Sequence, residues 1–431
     1  MLLKYTLMFL AGALGAVLAN RGIAVFNDAV RPIMPEYREK RMSRAELAAT
    51  TFALSFGLII GFGIPFSLMS PIILVHCLWL GTDIIGVFFP ADWDKKWYTD
   101  RKNTLGFAGA AVAGGIYGIG LLAGLQWFVD AMQQLPVNVF DGLSILGDPV
   151  LFAFAAFPAL AIAMEYGFKK GAAALMVTVV VRQLIAISAW YSSADGCALL
   201  AGFVMLLFFA MQEKNTVSIN MASLFGDRVK NIKKNLPYIA LVGAVYGMAA
   251  HIHLLVGSNL TLLALAKNQM TDAVNLSVIS GFSYIPLKGM TSLATGVWVT
   301  DGFGFVVTAG LLSPNLLVAA ITGAIVIVLE ASSLVLFANV FDRFPGLKKS
   351  ADNMRAAMTK VLELALLVGS MMAANKMFPG MGFLIVAGAY CLNEVSKRPL
   401  IKMAVGPIAA IATGIIVNIL AWLHLFAPAV K

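Results

Sequence analysis

The chain is predicted to fold as an all-α bundle of membrane-crossing helices, about twelve spans and one re-entrant segment, in a single domain over 1–431. Three observations predict it. Hydrophobic residues make up 60% of the 431 and charged residues only 12%, about half the share a water-facing domain carries. The apolar residues come in runs of about 20, the length that crosses a hydrocarbon core. The bases collect between those runs. Of the 31 Lys and Arg, 25 fall in 21–46, 91–103, 168–171, 212–235, 341–360 and 394–402, which assigns those segments to the cytoplasm.

Residues 2–20 form the first span. Lys4, the apolar run from Tyr5 and Val17-Leu18-Ala19 imitate an export signal. Cleavage would leave the basic stretch 21–46 outside, so we expect an uncleaved helix with a periplasmic N-terminus. The run 47–90 starts and ends inside, and Gly61, Gly63 and Pro65 break it into a hairpin. Spans follow at 104–128, 149–167, 172–191, 197–211 and 236–256. The segment 131–148 carries Asp141 and Asp148 but no base, which suits the outer face. The last spans are 315–340, 357–376, 380–394 and 403–427.

Parity fails once. Residue 257 should be outside and 341 inside, yet two apolar runs, 291–311 and 315–340, lie between them. Either 257–290 hides a crossing or 291–311 enters and returns on one side. Asn259, Lys267, Asn268, Gln269, Asp272, Asn275 and Lys288 argue against a crossing in 257–290. The Gly-rich stretch 291–304 reads as a break between short helical pieces, so a re-entrant segment is expected there. An echo between Asn27-Asp28-Ala29-Val30-Arg31-Pro32 and 393–399 hints at internal duplication.

Candidate solute or ion ligands follow from this. Broken helices expose backbone dipoles at membrane depth, which singles out Asp301 with the hydroxyls of Ser292, Thr295 and Thr300 and the close approach allowed by Gly296 and Gly302. Glu330 and Arg182 each sit mid-span, where a charge costs about 2.5–3.5 kcal/mol on insertion scales, so they are expected to pair. Glu363 reads as a partner of Lys360 one turn back, or as a site residue. Asp83, two turns before Pro90, reads equally as buried or solvated. Lys376 and Glu165, near span ends, are expected to reach toward the interface.

Other functions are excluded or disfavoured. The net charge of +9 belongs to short loops, so it signals orientation rather than nucleic acid. His76, His251, His253 and His424 do not form a metal pattern, and Cys77, Cys197 and Cys391 have no paired spacing. No phosphate loop, nucleophile elbow or zinc motif occurs, so neither an enzyme nor a cofactor is expected.

Short stretches spread along the whole chain resemble the YhfT family of bacterial inner-membrane proteins. They are Ala24-Val25-Phe26, Arg31-Pro32-Ile33 with Pro35, Thr82-Asp83-Ile84 with Gly86-Val87, and Lys234-Asn235-Leu236-Pro237-Tyr238-Ile239-Ala240. Further on come Leu293-Ala294-Thr295-Gly296-Val297, Leu312-Ser313-Pro314-Asn315, Asp352-Asn353 with Arg355 and Ala357-Met358, and Ala365-Leu366-Leu367-Val368-Gly369-Ser370. Asn393-Glu394 and Arg398-Pro399 with Lys402-Met403-Ala404 close the series. The resemblance implies a multi-pass inner-membrane transporter, carries no site residue over, and suits an amino-acid-like or small anionic solute.

The expectation is therefore an inner-membrane permease, a secondary transporter of a small polar or anionic solute coupled to H⁺ or Na⁺. Its partners are the lipid bilayer, the solute, and a second copy or a soluble subunit. The alternative is the translocating component of a phosphotransferase-like system, docking soluble partners on 212–235.

Overall fold

A computed structural model describes the chain except for residues 28–29, 31–32, 39, 60–62, 65–66, 68–71, 146–148, 150–154, 189–193, 213–228, 296, 300–302, 344–345, 398, 401 and 428–431. Among the described residues it is all-α apart from four two-residue strands. The first half contains α1 (Leu2–Asn20), β1 (Ala24–Val25), α2 (Ile33–Arg38), α3 (Arg44–Leu58), β2 (Ile73–Leu74), α4 (Val75–Phe88) and α5 (Arg101–Gln133). It ends with α6 (Val139–Ser144), α7 (Phe157–Tyr166), α8 (Phe168–Ala186) and α9 (Ala194–Gln212). The second half contains α10 (Leu236–His251), β3 (Leu255–Val256), α11 (Asn259–Ala266), α12 (Met270–Thr295), β4 (Trp298–Val299), α13 (Gly304–Leu312) and α14 (Leu316–Arg343). It ends with α15 (Gly346–Met377), α16 (Met381–Glu394) and α17 (Lys402–Trp422).

Among the described residues both halves have the same order: helix, strand, short helix, helix, strand, interrupted helix, long helix, then three more helices, with α6 as an addition to the first. The likeness extends to hydrogen bonds. α1 ends in a Schellman turn in which Gly22 N–H donates to Ala19 and Ile23 N–H to Leu18. α10 ends identically, with His253 N–H donating to Ala250 and Leu254 N–H to Ala249. The reversing residues have φ of +61° and +53°. Glycine adopts that conformation freely, and the histidine carries the usual side-chain penalty.

Each half's first strand pairs, in parallel, with the other half's second. Ala24 faces Trp298 and Val25 faces Val299; Ile73 faces Leu255 and Leu74 faces Val256. The bonds Trp298 N–H to Ile23 and Ile73 N–H to Leu254 are both 2.9 Å, as a twofold relation requires. The halves run in opposite senses, because Lys4 at the start of α1 lies within electrostatic reach of His253 at the end of α10. At the other end, Arg21 lies within reach of Tyr238.

Glycines set the helix crossings. A Cβ on Gly12 would strike the carbonyl of Gly114, and one on Gly114 would strike Gly12. The pair Gly243 and Gly323 is related in the same way between α10 and α14. Backbones can approach this closely only without side chains, which is how helices associate in an apolar solvent that gives no hydrophobic drive.

Among the described residues, five helices are long and apolar enough to cross a membrane: Leu2–Asn20, Arg101–Leu125, Ala194–Gln212, Leu316–Ser333 and Val405–Trp422. Four shorter apolar helices are α4, α7, α10 and α16. The region 257–290 is helical, as α11 and most of α12, and the break after 291 falls between Thr295 and Gly304. Of the polar residues that argued against a crossing there, Lys267, Asn268, Gln269 and Asp272 lie at or beside the turn joining α11 to α12, where Asn268 has φ +58°. The echo of 27–32 in 393–399 joins elements that do not correspond, since one follows β1 and the other ends α16.

Candidate functional site

α4 and α13 are the interrupted helices, each starting just after a strand of the paired core. Neither N-cap residue, Leu74 or Phe303, makes a side-chain capping bond, and the positive end of each dipole lies inside the protein. Between them, Trp79 of α4, Tyr246 of α10 and Phe303 at the start of α13 form one aromatic cluster. Tyr246 stacks on Phe303 at 4.7 Å between centroids, and Trp79 lies 5.6 Å from each. All three are buried. The buried Trp79 indole N–H and Tyr246 hydroxyl approach one another and have no other hydrogen-bond partner among the described residues.

His76, Trp79 and Asp83 are spaced three and four residues apart, so α4 presents them on one face. The chain leaving β1 crosses that face. Asp83 is fully buried, and its carboxylate accepts from Phe26 N–H at 2.9 Å and Asn27 N–H at 2.8 Å. The Phe26 ring meets His76 edge-on at 4.8 Å, and the Asn27 amide donates to Ser55 Oγ at 2.9 Å. In the second half, Gly310 packs on a carbonyl of α10 as Gly86 packs on one of α1. Matching those glycines puts Phe303 where Trp79 stands and Val307 where Asp83 stands. The interrupted helix therefore folds and packs without a carboxylate, which marks Asp83 as particular to one half.

A second polar locus lies behind α13. Lys288 of α12 and Glu330 of α14 form an ion pair with side chains 5% and 9% exposed. The ammonium also lies 5.6 Å from the centroid of the Trp298 ring. The pair borders a cavity of about 450 Å³ whose other walls include Phe305, Thr308, Leu329 and Ser333. Ser292, one turn beyond Lys288, is fully buried.

This arrangement corrects the expected partner of Glu330. Arg182 instead donates to Asp195 at 2.7 Å, because the short connection from α8 to α9 brings them together. Lys288 escaped the sequence reading because its surroundings looked like an outer loop. Its apolar neighbours Ile285, Pro286 and Leu287 were the available signal. Glu363 accepts from Tyr390 at 2.7 Å, across the antiparallel pair α15 and α16, and makes no ion pair with Lys360 among the described residues. Lys376 bonds Asp141 at 2.9 Å, and Glu165 accepts from Asn353 at 3.3 Å, so each meets protein. Asp301, Thr300, Gly296 and Gly302 lie outside the described residues, as does the side chain of Thr295. Among the described residues no three metal-binding side chains converge.

Residues 4–426 match the model of a family named YhfT, described as a protein of unknown function. The chain is 36% identical over 432 residues to "Uncharacterized protein YhfT" of Escherichia coli (strain K12), covering 96% of each. No solved structure matches it.

Proposed function

The chain belongs to the YhfT family, and from its inverted, interrupted helices we propose that it is a secondary transporter of a small polar or anionic solute in the bacterial inner membrane. It moves its solute without transforming it. The carrying observation is the twofold crossing of α4 and α13 between strand pairs exchanged by the two halves. Discontinuous helices in inverted repeats are the usual means of placing uncapped helix ends around a solute near the bilayer midplane. Trp79 and Tyr246 supply an aromatic surface with two donors, and the helix N-termini favour a negative group. Asp83, held by backbone amides that only its ionised form fully uses, is the candidate site for the coupling H⁺ or Na⁺.

The topology follows the same symmetry. The unit α12–β4–α13 enters and leaves by the outer face, as α3–β2–α4 does by the inner, and α14 supplies the single crossing that parity requires. Ten full crossings and two such re-entrant units result, with the N-terminus periplasmic. Thermal unfolding of the purified protein with amino acids and small organic acids, with and without Na⁺, tests the reading. A stabilising solute should lose its effect in Trp79→Ala and Tyr246→Phe. Retention of the full effect in both variants would remove the solute from this cluster.

A further inference from the structure

Where α1 and α4 end, a pocket of about 560 Å³ is walled by six cationic side chains, including Arg38, Arg44 and Lys102, against three acids, Asp92, Asp94 and Asp100. The acids are already engaged. Lys40 lies 3.5 Å from Asp94, and Lys95 lies 3.8 Å from Asp92 and 3.6 Å from Asp100. Arg41 is held by both oxygens of Glu36, at 2.6 and 2.8 Å. Arg44 and Lys102 have no acidic partner among the described residues.

Arg44 is fixed in place. Its Nε and Nη2 donate to the carbonyls of Asn20, Gly86 and Phe89 at 2.9–3.3 Å, the negative ends of two helices. Its guanidinium lies 5.2 Å from the Tyr37 ring and 5.9 Å from Trp93, and its Nη1 is buried with no acceptor. Burial lowers its pKa to about 10, so it stays cationic at neutral pH. Trp93 is anchored by its indole N–H to Asn20 at 2.7 Å, and Arg38 stacks over it at 5.5 Å. Helix ends, interfacial aromatics and surplus bases place this pocket at the depth of the headgroups on the face that the basic segments assign to the cytoplasm.

We propose that this pocket binds a phosphate ester anion, with Arg38, Arg44 and Lys102 as its cationic ligands. The geometry suits one phosphate: a planar donor fixed by backbone carbonyls, two further cations lining the same pocket, and an aromatic wall beside them. An anionic lipid headgroup and a soluble phosphate ester share that chemistry.

The test is thermal unfolding of the full chain in detergent with added phosphatidylglycerol, phosphatidylcholine or soluble glycerol phosphate. Phosphatidylglycerol should raise Tm by several degrees over phosphatidylcholine, and the rise should fall by more than half in Arg38→Gln/Lys102→Gln. Lys102→Arg should retain it, which separates loss of charge from loss of fold. A matching rise with glycerol phosphate identifies a soluble occupant of the same site, and a rise with the lipid alone identifies a headgroup. Equal stabilisation by phosphatidylcholine, or an undiminished rise in the double variant, overturns the proposal.

Discussion

Glu330 shows how a single residue's role depends on which partner the fold brings to it. A lone carboxylate in an apolar helix demands neutralisation, and the structure meets that demand with Lys288. Removing one member of a buried pair typically costs about 3–5 kcal/mol, because the other charge is left uncompensated. Lys288→Met and Glu330→Gln should therefore each lower Tm, and the double variant should be more stable than additivity allows, by at least about 1 kcal/mol. Arg182→Gln combined with Glu330→Gln should be additive within about 0.5 kcal/mol; coupling between those two would restore the partner expected from sequence. At the surface, Glu46 closes a capping box on α3, accepting from Ser43 N–H at 2.7 Å. That bond holds its pKa below the usual carboxylate value. A depressed pKa contributes stability above the unfolded value that is lost as pH falls through the folded one. Protection of the first-turn amides of α3 against hydrogen exchange, taken relative to the intrinsic rate at each pH, should thus fall on acidification, and Glu46→Gln should flatten that dependence.

Among the elements, the paired crossings α1–α5 and α10–α14 are where glycine decides the architecture. Gly12→Leu should block the approach of α1 to α5, and Gly243→Leu should do the same for α10 and α14. Both should sharply reduce folded yield on size-exclusion chromatography. Gly120→Ala makes a matched control, because an added Cβ there meets nothing within 4 Å, and it should fold normally. The helix interruptions were legible in part. Gly296, Gly302 and Gly304 announced a break before α13, and the structure has one between Thr295 and Gly304. The strands were not legible, because two residues are too few to show alternation and their pairing joins segments far apart in the chain.

For the molecule as a whole, orientation is the testable property. Cysteines replacing Asp141 and Lys267 should react with an impermeant reagent added to intact cells, whereas cysteines replacing Lys95 and Lys233 should react only after permeabilisation. External labelling at 95 would invert the N-terminal half and with it the antiparallel relation of α1 and α10. The twofold relation also frames the proposed site, since Asp83 and Val307 occupy equivalent places and only one can ionise. Asp83→Asn should impair solute-induced stabilisation, while Val307→Ala should leave it nearly intact.

Composition, apolar run length and the placement of bases were enough to predict an all-α chain with helices long and apolar enough to cross a membrane and to locate most of its helices, since insertion into hydrocarbon depends on local sums over about 20 residues. α1, α5, α9, α14 and α16 all fall where apolar runs predict them. Asp83 and Glu330 stood out because an acid in an apolar run is costly wherever it ends up. Their partners did not, because Phe26, Asn27 and Lys288 meet them only through the packing of distant segments. The inverted relation of the halves was likewise decided by tertiary structure. Gly12 with Gly114 and Gly243 with Gly323 are unremarkable in a chain with 39 glycines, and they acquire meaning only when the folded backbones bring each pair face to face.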